Sequence, residues 1–174
     1  VGRQEQREVI AAQLREGSKL VSLIGTAGVG KTRLALELAA DLRDQVSRAV
    51  FCDLTEAVDT LGVARLVSRA MDVRLRDSDP LGHLTKLLGE EPTLLVMDNL
   101  EQVLEPVGAI CEGWVQEVEG LRLLATSRAK LNVPSETAVF LKPLALLESM
   151  ELFAKRGQSA DGRFELNAGN REVV

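Results

Sequence analysis

Apolar residues in this chain fall into five short continuous runs, separated by longer stretches in which they recur every third or fourth position. The runs read KLVSLIG (19–25), RAVFCDL (48–54), TLLVMD (93–98), LRLLATS (121–127) and AVFLKPL (138–144). Runs this continuous suit strands buried on both faces, as a parallel sheet requires. Between the first two, Leu34, Leu38, Leu42 and Val46 make one helical stripe, so the spacing predicts a helix over 31–46. After the third, Val103, Val107, Ile110, Trp114 and Val118 do the same, and Pro106 must sit near that helix's start or kink it. The stretch RQEQREVIAAQLREG (3–17) reads as an amphipathic helix closed by Gly17. Residues 55–91 hold two helical patterns, TEAVDTLGVARLVSRAMDV with a glycine interruption at Gly62 and DPLGHLTKLLGEE, joined by the polar loop RLRDSDP. A last helix, LLESMELFAKRG, leads into QSADGRFELNAGNREVV, which is mostly loop. Strands alternating with helices are the signature of an α/β fold with right-handed crossovers.

Composition narrows the class. The 174 residues are 45% hydrophobic and 27% charged, ordinary for one globular domain with a real core. Aromatics are 3%, with no Tyr and one Trp, so Leu, Val, Ala and Ile must fill the interior. The net charge of −5 argues against a nucleic-acid-binding surface on this piece. Cys52 and Cys111 sit in apolar surroundings and lack metal spacing, which reads as two reduced buried thiols. No stretch approaches a membrane span and no signal peptide opens the chain, so a cytoplasmic location is the default expectation. The chain starts VGRQEQ without Met and stops at GNREVV without a helix stop signal, the pattern of a piece of a longer protein.

The chemistry is concentrated at GTAGVGKT (25–32), which fits GxxxxGK(S/T) with Gly25, Gly30, Lys31 and Thr32 in place. That pattern needs a buried strand before it and a helix after it, and KLVSLI and KTRLALELAADLRDQV supply them. Backbone N–H groups of residues 26–32 then point at an anion, aided by the helix dipole. Lys31 reaches the β- and γ-phosphates and the Thr32 hydroxyl holds Mg²⁺, while Gly28 relieves crowding in the loop. Thr26, Ala27, Gly28, Val29, Gly30, Lys31, Thr32 and Arg33 are the expected phosphate-binding set. Asp98 ends the apolar run TLLVMD and is expected to share the metal with Thr32, because ligands of open α/β sheets collect at the carboxyl ends of strands. Arg128 follows the fourth strand, where it can sense a γ-phosphate. The chain has no NKxD-type guanine-reading motif, which leaves adenine as the expected base.

VGRQEQ, GTAGVGKTRLALELA, LLVMDNLEQV, LLATSR and LKPL…ESMELF occur in an order that resembles the NB-ARC/STAND signalling ATPases, and especially the ATPases of bacterial transcriptional regulators. The resemblance runs from Val1 to about Gly157. It implies a P-loop NTPase of the ASCE type, with a five-stranded parallel sheet in the order 5-1-4-3-2. It makes residues 1–157 the nucleotide-binding domain (N-terminal helix 3–16, core 19–157), and 158–174 the start of a linker to a helical subdomain beyond. It also implies that Val1, Gly2 and Arg3 contact adenine and ribose, that Arg128 is the sensor arginine, and that Pro143 lies near the hinge after the fifth strand. The cofactors implied are ATP or ADP with Mg²⁺.

One departure shapes the functional expectation. Residue 99 is Asn where many relatives carry a second acid, and an amide cannot take a proton from attacking water. Glu101 lies two residues further on and is expected to point away. Asp98 and Arg128 are then the only residues expected at the reaction, and hydrolysis is expected to be slow or negligible. The leading expectation is a nucleotide-operated switch, ATP- or ADP-bound, within a signalling or transcription-regulatory protein. The alternatives are an interaction module with structural nucleotide and an AAA+-like turnover ATPase. Expected partners are the adenine nucleotide and further copies of the full-length protein in a nucleotide-dependent assembly, with no nucleic acid and no membrane bound by this piece.

Overall fold

A computed structural model of the chain describes residues 2–75 and 79–160. Val1, the centre of the polar loop at 76–78 and the segment 161–174 lie outside the described residues.

The predicted runs form five parallel strands in the order β2-β3-β4-β1-β5. This is the expected 5-1-4-3-2 order read from its other end. Three runs are buried almost throughout: β1 (Leu20–Ile24), β3 (Thr93–Asp98) and β4 (Leu121–Ser127), which shows only Arg122 to solvent in part. These are the inner strands. The edge strands β2 (Arg48–Asp53) and β5 (Glu136–Phe140) depart from the expectation of burial on both faces. In β2 only Val50 and Cys52 are buried, and in β5 no residue is fully so. β5 also starts and stops earlier than its apolar run, because it pairs with the short β1 from Leu20↔Glu136 to Ile24↔Phe140.

Side chains alternate between two cores, as the period of a strand requires. Val21, Leu23, Leu94, Val96 and Leu124 meet α1 (Gln4–Arg15) and α2 (Lys31–Asp41) on one face. Leu20, Leu95, Met97, Leu121 and Leu123 meet α3 (Thr60–Ala70), α4 (Pro80–Leu88) and α5 (Leu104–Glu117) on the other. Each fully buried aliphatic side chain contributes roughly 1.5–3 kcal/mol, so this double layer is the main source of stability. Arg7 fastens α1 to α2 through Asp41 at 2.6 Å and Glu37 at 3.0 Å. The last helix, α6 (Leu146–Ala160), is tied to the start of the chain: Glu148 accepts from Arg3 N–H at 3.2 Å.

Helix boundaries correct the periodicity in two places. The helix predicted over 31–46 stops at Asp41, a 3-10 turn covers Arg43–Gln45, and Val46 is extended. Val46 still packs against the core, but the chain must straighten there, because Ser47 and Arg48 donate to Pro92 O at 2.8 and 3.1 Å as the chain enters the sheet. Gly62 does not interrupt a helix. Asp59 caps α3 by accepting from Gly62 N–H at 2.6 Å, so Gly62 lies in the first turn. Pro106 falls in the first turn of α5, near its start as the sequence predicts, where its missing N–H costs nothing.

Cys52 and Cys111 are free and buried, as the sequence suggested. Burial chiefly, and nearby acids secondarily, pushes both thiols from the ordinary 9.0 up to about 12. The unfolded chain therefore ionises first as pH rises. Thiol-linked stability should be intact below pH 9.0 and decline towards about 12. A disulfide-exchange reagent near neutral pH should label neither cysteine in the native protein and both in denaturant. Rapid native labelling would contradict the burial of these side chains.

Candidate functional site

The site is built at the carboxyl ends of β1, β3 and β4, where the sheet presents three loops side by side. Between Ile24 and Lys31 the chain turns through two left-handed glycines, Gly28 (φ 75°) and Gly30 (φ 97°). A Cβ at either would meet nothing within 4 Å, so backbone conformation and not crowding demands glycine there. That corrects the crowding role expected of Gly28. Among the described residues, the N–H groups of Gly28, Gly30, Lys31 and Thr32 donate to no protein acceptor. Those of Gly30, Lys31 and Thr32 are orphan donors of the α2 N-terminus, and that of Gly28 precedes them in the loop.

Lys31 opens α2 and is buried (7% exposed), with its ammonium folded back into the loop. Nζ donates to Gly25 O at 3.0 Å and Thr26 O at 3.3 Å. Asp98 closes β3 and is 3% exposed. A buried carboxylate needs donors, and two hydroxyls supply them. Thr32 Oγ1 lies 2.9 Å from both Asp98 oxygens, and Thr126 Oγ1 donates to Oδ1 at 2.5 Å. Thr126 also accepts from Asn99 N–H at 3.1 Å, locking the strand end next to the acid.

Asn99 takes a left-handed backbone (φ 62°, ψ 53°), which Asn tolerates better than most residues. Its amide is committed elsewhere: Nδ2 donates to Asp53 Oδ1 and to Thr55 Oγ1, both at 3.1 Å. Hydrogen bonds from the side chains of Thr55 and then Asn99 hold the Asp53 carboxyl below the usual carboxylate range. The turn at Asn99 feeds a 3-10 segment, Leu100–Gln102, and this swings Glu101 back to the loop. Glu101 Oε1 lies 3.3 Å from Arg128 Nε and 3.8 Å from Lys31 Nζ. The expectation that Glu101 points away is overturned. A left-handed residue followed by a tight helical turn reverses the outward direction that strand continuation gives.

Other candidates are placed less directly. Arg3 is engaged structurally: its guanidinium donates to Val29 O at 2.9 Å, Lys142 O at 2.6 Å and Gln6 Oε1 at 3.0 Å. It thereby clamps the glycine loop to the exit of β5. Gly2, Arg3, Pro143 and Glu148 line a groove of about 530 Å³ beside the loop. Arg33 is exposed and pairs with Glu37 at 2.6 Å, on the α1 side of α2. Thr26 and Ala27 are exposed at the loop's outer turn. His83, given no role, lies in α4. Thr126 and Glu101 are the two site residues that sequence reasoning missed. A hydroxyl directly after the apolar stretch Leu123–Ala125 of a buried strand was the available signal for Thr126.

A family profile described as an AAA domain matches residues 14–136. The chain belongs to the AAA domain family. A Mycobacterium tuberculosis protein that carries the name HTH-type transcriptional regulator is 30% identical over 161 residues, which cover 90% of this chain and 18% of that protein. The chain thus spans under a fifth of that relative's length. Two solved structures share the fold: a signal transduction ATPase with numerous domains (STAND) from Pyrococcus horikoshii, and the Aeropyrum pernix ORC2 protein. The first has a TM-score of 0.63 at 17% identity and covers 95% of this chain and 26% of its own. The second has a TM-score of 0.67 at 16% identity and covers 94% and 54%. Fold and family thus meet at an AAA-type P-loop ATPase domain.

The residues present suit phosphate and magnesium. Open glycines, unpartnered N–H groups and a buried ammonium match a polyphosphate. Thr32 hydroxyl and Asp98 carboxylate are hard oxygen donors. Among the described residues no group of three or more His, Cys, Asp or Glu could enclose a metal. Magnesium fits that arrangement, because it is held by one or two carboxylates together with substrate phosphates and water. In this AAA domain Thr126→Val keeps side-chain shape but leaves Asp98 and Asn99 N–H each short of a partner. Loss of one buried hydrogen-bond set should lower unfolding stability by about 1–3 kcal/mol in denaturant titration. An unchanged midpoint would show that the Asp98 node contributes nothing to folding.

Proposed function

We propose that this domain is an adenine-nucleotide switch of the NB-ARC/STAND type, a module of a signalling or transcription-regulatory ATPase in the cytoplasm. The observation that carries the reading is the convergence of Lys31, Thr32, Asp98, Glu101 and Arg128 at one glycine loop with unpartnered N–H groups. The N–H groups and Lys31 bind the phosphates. Thr32 and Asp98 hold magnesium, which supplies charge neutralisation of the polyphosphate when bound. Arg128, at the tip of β4 with 64% of its side chain exposed, reports whether a third phosphate is present. The groove beside Arg3, Pro143 and Glu148 takes the adenosine, consistent with the hinge role proposed for the segment after β5. The M. tuberculosis relative named as a transcriptional regulator and the STAND neighbour favour a regulatory setting. Nucleotide-dependent self-association belongs to the full-length protein under this reading.

A second reading, turnover, is favoured by one observation. Slow hydrolysis rested on the absence of an acid near the third phosphate, and Glu101 places a carboxylate there. Such a group can orient and deprotonate attacking water. Steady-state phosphate release separates the readings: stoichiometric nucleotide retention supports the switch, sustained multiple turnover the enzyme.

Isothermal titration with ADP and with ATP, each with magnesium, tests the site. Wild-type protein is expected to bind both. Lys31→Ala should weaken both by at least ~1.5–3 kcal/mol, the scale of a charge-assisted contact. Unchanged ADP affinity in that variant would refute the phosphate assignment. Arg128→Ala should weaken ATP while leaving ADP nearly unaltered, and equal losses would remove the sensor role.

A further inference from the structure

Glu101 stands between the two cations that a third phosphate needs. Its Oε1 is 3.8 Å from the Lys31 ammonium and 3.3 Å from Arg128 Nε. Its side chain is 21% exposed, and that of Lys31 is 8% exposed, so this arm of the bridge is only weakly screened. The carboxylate is delivered there by the left-handed Asn99 and the turn Leu100–Gln102, whose first residue, Leu100, is wholly buried. Asn99 is anchored on both sides, by its N–H on Thr126 and its amide on Asp53 and Thr55, so the turn is held in this register.

We infer that Glu101 is an internal counter-ion, held near Lys31, that competes with the γ-phosphate for Arg128, and so sets how the domain discriminates ATP from ADP. This rests on the nucleotide-site reading above. A diphosphate ends short of the Glu101–Arg128 pair and leaves it standing. A triphosphate carries one more anionic group into the same place, so it must break the pair and bear the repulsion of the displaced carboxylate. Two states follow from one side chain: Arg128 on Glu101 with ADP, and Arg128 on the nucleotide with ATP. A ligand shifts such an equilibrium only by its differential interaction with the two states, and Glu101 lowers that difference for ATP.

The test is titration of the chain with magnesium ADP and with the magnesium β,γ-imido analogue of ATP, in wild type and in Glu101→Gln. The amide preserves shape and removes the charge. Binding of the triphosphate is expected to tighten roughly three- to tenfold, the effect of relieving one partly screened charge contact, and ADP affinity to change less than about twofold. A selective gain is a result that mere structural damage does not produce. Glu101→Ala, whose folding does not depend on seating an amide, is expected to shift the two nucleotides in the same sense. Equal changes for both nucleotides, or weaker triphosphate binding, would overturn the inference. So would unaltered affinities with abolished phosphate release from ATP, which would make Glu101 a water-orienting base only. If wild type bound neither nucleotide, the phosphate site itself would fall and this assignment with it, whereas binding of both without the selective gain would sink this assignment alone.

Discussion

The rest of the site depends on one buried carboxylate. Asp98 sits at the end of the inner strand β3 and is nearly inaccessible, so its charge must be answered by the protein. Two hydroxyls answer it, from Thr32 in the first turn of α2 and Thr126 at the end of β4. Those contacts join three consecutive segments of the sheet's carboxyl edge. They hold the helix N-terminus in place, and with it the unpartnered N–H groups and the Lys31 ammonium. Removing either hydroxyl leaves a buried acid underserved, which is why the geometry is steep and not adjustable.

Electrostatics complete the arrangement. The loop gathers positive potential from orphan N–H groups, the α2 dipole and Lys31, while the chain as a whole carries a net charge of −5. A protein so arranged must keep those cations from pairing at random. Here Lys31 donates to two loop carbonyls and shares Glu101 with Arg128. Arg3, from the far side, ties the loop at Val29 O to the chain beyond β5 at Lys142 O. The phosphate loop is therefore braced at both ends: by Asp98 under the helix, and by Arg3 over the turn.

Strand pattern and motif made the inner sheet legible from the amino acids alone. TLLVMD and LRLLATS match β3 and β4 residue for residue, because a strand buried on both faces leaves a continuous apolar record. GTAGVGKT located the loop, because only a few residue types permit its backbone. What periodicity could not resolve were positions set by tertiary demands. Val46 is apolar at helical spacing yet extended, since the chain has to enter the sheet two residues later. Gly62 seemed a break and is part of a capped first turn. Glu101 was the costliest misreading: its direction is decided by the dihedral angles of Asn99, which spacing along a sequence does not encode. Thr126 was visible as a hydroxyl directly after an apolar stretch, and only the adjacency of β3 and β4 revealed its partner.

A crystal structure of the chain with the magnesium β,γ-imido analogue of ATP tests the central claim most directly. The β-phosphate is expected within the loop of residues 25–32 against Lys31, with magnesium inserted where Thr32 Oγ1 now meets Asp98. Nucleotide seated elsewhere on the domain, or a loop left empty with the Thr32–Asp98 hydrogen bond intact, would contradict the account.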